Sequence, residues 1–95
     1  MMGFRYKRGI RVSYKRQGMI YFTLQNFHTL PQGKQEKLRQ LCRDAAGEYD
    51  TALWEYLTTE KGYVGVSMDH NLSQATLFRC VKRFYESFPK MLCGC

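Results

Sequence analysis

Six cations stand among the first eighteen residues with no acid between them: Arg5, Lys7, Arg8, Arg11, Lys15 and Arg16. Residues 19–59 are close to balance, with Lys34, Lys37, Arg39 and Arg43 against Glu36, Asp44, Glu48, Asp50 and Glu55. Residues 60–95 are mildly basic again, so much of the net charge of +7 collects at one end. A basic arm on a nearly neutral body suits a polyanionic partner, although short basic tails also serve solubility alone. Other chemistries find little support. Cys42, Cys80, Cys93 and Cys95 lack the two-pair spacing of a zinc site, and His28 and His70 do not complete one. Asp69 and His70 are adjacent, but adjacency does not make a catalytic pair. No nucleophile–base pairing or phosphate loop is visible, so neither enzyme activity nor a cofactor is expected.

These side chains need elements to position them. A chain of 95 residues fits one domain, and its 15% aromatic content helps a small core. Leu38, Leu41, Cys42 and Ala45 recur at the spacing of an amphipathic helix, with Pro31 before it and Gly47 at its end. Tyr49, Ala52, Leu53, Tyr56 and Leu57 mark a second helix over 48–57. A third segment, 60–70, puts Tyr63, Val66, Ser67 and His70 on one face. There Gly62 and Gly65 each cost about 1 kcal/mol against alanine, so burial must hold it. The clearest helix follows Ser73, a good N-cap, and ends before Pro89. Leu77, Cys80, Val81, Phe84 and Phe88 form its stripe, and Ala75, Arg79, Lys82, Arg83 and Glu86 lie opposite. Residues 9–28 support two readings. Ile10, Val12 and Tyr14 alternate and KRQG can turn, giving a β-hairpin with Met19–Phe22 as return strand. The other is an extended arm followed by a helix over 19–28. The expectation is a mainly α fold: a basic N-terminal arm (1–18) or short β-hairpin, and a helical domain (19–95).

The last two helices meet at His70-Asn71-Leu72-Ser73. Asparagine tolerates the left-handed backbone of a sharp turn, Leu72 can tuck that turn inward, and Ser73 can start the next helix. This is the layout of a helix-turn-helix. Val66 to Val81 resembles the motif of the lactose-repressor family, within the helix-turn-helix regulators of bacteria and phages. Val66-Ser67 stands for its apolar–small pair, Asn71 for the turn residue, Leu72-Ser73 for the apolar–serine pair, and Thr76-Leu77 with Arg79 for the core of the recognition helix. The match runs without gaps over about a sixth of the chain. It departs where His70 replaces an apolar residue, where Ser67 replaces the commoner alanine, and at the two glycines. The whole chain is also similar, more loosely, to small basic proteins of mobile elements and phages.

The resemblance implies a protein that reads DNA with the helix over 73–88. Gln74, Ala75, Thr76 and Arg79 would meet base edges: glutamine can pair with adenine, and alanine or the threonine methyl can touch the thymine methyl. Arg79 can reach guanine or a phosphate. Ser73, Lys82, Arg83 and Lys61 would hold phosphates, joined by Arg5, Lys7, Arg8, Arg11, Lys15 and Arg16 along the backbone or in the minor groove. Phe78 reads as padding against Tyr21, Phe22 or a partner chain, and His70 as a packed or capping residue. The implied partner is double-stranded DNA, with a homodimer as one way to extend the site, in transcription regulation or mobile-element function. The competing reading is a helical module that binds a polymerase or recombination complex. RNA binding through the basic arm is a third. Cys42 and Cys80 read as core residues and Cys93 and Cys95 as tail thiols. The cysteine pattern, the lack of a secretory signal and the lack of a spanning segment lead to a cytoplasmic expectation.

Overall fold

The computed structural model describes residues 7–89. Five α-helices and two 3-10 turns make up the described fold, and no strand occurs among the described residues. The mainly α expectation holds, and the β-hairpin does not form. Residues 15–18, read as a turn, are helical instead. They belong to α1 (Tyr14–Gln25), which starts five residues before the expected Met19. Ser13 is the reason: its hydroxyl accepts the Arg16 N–H at 3.2 Å, satisfying a free donor of the first turn. Gln17, Ile20 and Leu24 then fall on one buried face. The helix ends at Gln25, and Phe27–Thr29 form a 3-10 turn.

The segment before α1 packs onto the body. Ile10 is buried. The Gln17 side chain accepts the Lys7 N–H at 2.8 Å and donates to the Lys7 and Val12 carbonyls at 3.2 and 3.0 Å. One buried amide therefore ties residues 7–12 to α1. The helix also runs through the 18/19 boundary drawn from charge. Charge composition marked that boundary, but backbone hydrogen bonding ignores it.

Helix α2 (Gln32–Ala46) follows Pro31 and buries Leu38, Cys42, Ala45 and Ala46. Gly47 stops it with φ of 58°, a left-handed value that a side chain would resist. A 3-10 turn, Gly47–Tyr49, leads into α3 (Asp50–Thr58), which buries Ala52, Leu53 and Leu57. Tyr49 was expected on that buried stripe. It sits in the turn, where helical spacing no longer applies, and it is 37% exposed. Trp54 packs edge-on against Phe27 at 4.9 Å between centroids, with Arg39 over its ring at 4.6 Å.

Helix α4 (Tyr63–His70) is shorter than the expected 60–70. Gly62 lies outside it, at the N-cap with φ of 55°. Gly65 lies inside, and a Cβ there would stand 3.0 Å from the Lys61 side chain. One glycine thus supplies a backbone conformation and the other supplies room. Tyr63 stacks on Tyr56 at 4.5 Å, and Val66 and Ser67 are buried. Helix α5 (Gln74–Glu86) packs against α2, α3 and α4 and buries Leu77, Cys80, Val81, Phe84 and Tyr85. Full burial of such side chains stabilises by about 1.5–3 kcal/mol each, so α5 is the centre of the core. Cys42 and Cys80 are buried free thiols, and burial pushes the Cys42 thiol up to about 12, which makes it a packing residue.

Candidate nucleic-acid interface

The turn between α4 and α5 has a defined backbone. Asn71 sits at φ 56°, ψ 46°, and is the only non-glycine residue with positive φ among the described residues. The Leu72 N–H donates to the Ser67 carbonyl at 3.0 Å, closing the end of α4. Ser73 then caps α5, accepting the Thr76 N–H at 3.0 Å. Its hydroxyl also lies 2.8 Å from the Thr76 hydroxyl, which takes a long contact of 3.4 Å from the Arg79 guanidinium. Gln74 and Ala75 point outward and are exposed, while Thr76 is half-buried with its hydroxyl occupied. Arg79 and Arg83 are exposed one turn apart along the same face.

Two different edges flank this face. Along one runs the N-terminal segment. Phe78 packs beside Gly9, whose hypothetical Cβ would lie 3.3 Å from the ring, and its centroid is 6.2 Å from that of Tyr63. Phe78 is padding, as expected, but against Gly9 and Tyr63. Further along, the Arg11 N–H donates to Glu86 at 2.8 Å, and Lys82 pairs with the same carboxylate at 2.7 Å. These two contacts hold the Glu86 carboxyl below its ordinary range. Along the other edge, Ala46, Tyr49, Thr76, Arg79, Cys80 and Arg83 line an open groove between the end of α2 and α5.

The cations named from sequence divide sharply by environment. Lys7 is half-buried. Its Nζ donates to the Tyr56 hydroxyl at 3.0 Å and lies 5.2 and 5.7 Å from the Tyr56 and Tyr85 ring centres. Burial lowers its pKa. Arg16 donates to the Phe88 carbonyl at 2.5 Å. Lys61 pairs with Glu55 at 2.9 Å and also with Asp69. His70 completes that cluster, its Nε2 2.5 Å from Glu55, and so ties the end of α4 to α3. Lys82 is paired with Glu86. Arg8, Lys15, Arg79 and Arg83 are exposed and form no ion pair among the described residues. Arg11 is exposed within the field of Glu86. Arg5, Cys93 and Cys95 lie outside the described residues.

Two residues of consequence escaped the sequence reading. Gln17 looks like part of a solvated basic run, yet it stands three and seven positions before Ile20 and Leu24 on the buried face. That spacing is the signal that could have found it. Tyr49 fits a helical stripe by spacing, and nothing local reveals that the chain is in a 3-10 turn there.

Among the described residues, no group of His, Cys, Asp or Glu could hold a metal ion, and no helix is long and apolar enough to cross a membrane. Comparison with protein-family models, with curated proteins and with solved structures finds no match.

Proposed function

We propose that this chain is a sequence-specific DNA-binding protein that lays α5 in the major groove, acting in transcription regulation or as an accessory factor of a mobile element. The observation that carries the reading is the first turn of α5. Gln74 and Ala75 are exposed there, on a turn fixed by Asn71 in the left-handed conformation and by the Ser73 cap. A rigid, outward helix start bearing a glutamine and a small apolar residue suits readout of an A·T-containing step. Arg79 lies one turn further on, within reach of a guanine or a phosphate. The exposed cations Arg8, Arg11, Lys15 and Arg83 suit the sugar–phosphate backbone on either side.

Selection from random duplex DNA at two salt concentrations tests this. A recovered motif is expected, with a log–log salt slope of about −4 to −5 if Arg8, Arg11, Lys15, Arg79 and Arg83 all meet phosphates. A palindromic motif with half-sites about 34–36 Å apart would show that a dimer binds. Enrichment of no motif at either salt concentration overturns the reading. Gln74→Ala should relax the preference at one base pair.

One observation favours a second reading, a protein-interaction module. Val64 and Met68 stand one turn apart on α4 with 56% and 76% of their surfaces exposed. Together with Leu72 and Gln74 they line a shallow groove beside the turn. This reading predicts little duplex affinity at physiological salt and a stable complex with a polymerase or recombination protein.

A further inference from the structure

We infer that the groove between the end of α2 and α5 is a clamp for a single phosphodiester, with Arg79 and Arg83 on one wall and Tyr49 on the other. The inference rests on the DNA-binding reading and adds to it: it assigns Arg79 to the backbone and brings in Tyr49.

The argument is one of charge and placement. Arg79 and Arg83 are four residues apart on one helix, the spacing at which like charges repel. Neither is paired with an acid among the described residues, and the acid beside the groove, Glu48, engages the Tyr49 phenol on the opposite wall. Among the described residues their guanidiniums make only long hydrogen bonds, 3.4 Å from Arg79 to the Thr76 hydroxyl and 3.4 Å from Arg83 to the Ala45 carbonyl. The Ala45 contact ties the Arg83 guanidinium to the end of α2 without neutralising it. Two guanidiniums held at one opening, with ten N–H donors between them in principle, match an oxyanion better than a base edge.

Tyr49 closes the far side. It is exposed, in the turn that links α2 to α3. Glu48 beside it accepts from its phenol and raises its pKa, so the hydroxyl is a donor at neutral pH. A phosphate oxygen can take the place of that carboxylate. The groove lies along only one edge of the α5 face, and the N-terminal segment with Arg8 and Arg11 lies along the other. A helix seated in a major groove has one strand's backbone on each side. The clamp therefore holds one strand, and the segment before α1 faces the second. Gln74 and Ala75 are left as the base-reading pair.

The test uses the full chain on the selected duplex and on a scrambled duplex of equal length. Arg79→Gln and Arg83→Gln should each weaken both complexes by about tenfold or more and reduce the salt slope by about 0.9. Tyr49→Phe should weaken both complexes several-fold and leave the slope unchanged, because no charge is removed. Glu48→Gln should tighten both. Titrating the unaltered protein with duplex should also shift the Tyr49 ring resonances, a readout that needs no variant to fold. If Arg79→Gln instead changes base preference, or if Tyr49→Phe binds like the parent with its ring signals unmoved, the clamp is wrong while the DNA-binding reading stands. Absence of any duplex binding by the parent overturns both.

Discussion

Replacing Gln17 by methionine should destabilise the protein by about 2–3 kcal/mol. The side chain is fully buried and makes three hydrogen bonds, to the Lys7 N–H and to the Lys7 and Val12 carbonyls. A typical intramolecular hydrogen bond contributes about 0.5–1.5 kcal/mol net, and a buried group left unpaired costs about 1–3 kcal/mol. Lys7 is half-buried and can recover water by lifting away, so its two bonds count at the low end. The Val12 carbonyl is anchored between Ile10 and Ser13 and counts nearer the top. Methionine matches glutamine in length and volume, so cavity formation adds little and the loss reports hydrogen bonding. In urea, with a slope near 1–2 kcal/mol per molar for a chain of this size, the midpoint should fall by about 1–3 M. Heat should unfold the variant roughly 8–24 °C earlier. Amide exchange should show the 7–12 segment opening more than the core. A methionine variant within about 0.5 kcal/mol of the parent would refute the claim that this amide pins the segment. Gln25→Ala, which removes one long bond of 3.4 Å on an exposed residue, serves as the near-neutral control.

Ser73→Ala removes the α5 cap and should cost about 1 kcal/mol in the same urea experiment, with a smaller loss for Ser73→Asp or Ser73→Asn. Asn71→Gly should be tolerated and Asn71→Val should cost about 1–2 kcal/mol, because a β-branched residue resists φ of 56°. Gly9→Ala combines φ of 84° with a Cβ 3.3 Å from Phe78 and should lower thermal stability measurably, by about 1–2 kcal/mol. Stability should also fall in acid. The Glu55 carboxyl is held below the ordinary 4.5 by its hydrogen bonds with His70 and Lys61, and the Glu86 carboxyl by those from the Arg11 N–H and Lys82. Their contribution is present above the unfolded value and lost as pH drops through the folded one. Melting temperature should therefore decline below about pH 4.5, and less steeply in Glu86→Gln.

Local rules made much of this protein legible. Helix starts and stops follow from single residues: Pro31 and Gly47 bound α2, and Ser73 caps α5 just as a hydroxyl before an apolar stripe should. The stripe of α5 was readable because one helix face meets one core, and that relation depends only on spacing. What sequence could not deliver was anything set by a distant partner. The start of α1 supported a hairpin because alternation at 10, 12 and 14 and a KRQG stretch are strand-and-turn signals, yet the burial of Gln17, bonded to Lys7 ten residues away, joins the local Ser13 cap in outweighing them.

The charge pattern shows the same division most clearly. Composition alone established a chain with an excess of cations and an unbalanced basic N-terminal stretch. Spacing alone placed Ala75, Arg79, Lys82, Arg83 and Glu86 on the outside of the last helix. Only the tertiary structure decided which cations are available. Lys7 lies against two tyrosine rings, Arg16 serves a carbonyl, and Lys61 and Lys82 are neutralised by acids, whereas Arg79 and Arg83 face an open groove. A residue's charge is a property of the sequence. Whether that charge is already spent inside the molecule depends on what folding brings within a few ångströms of it.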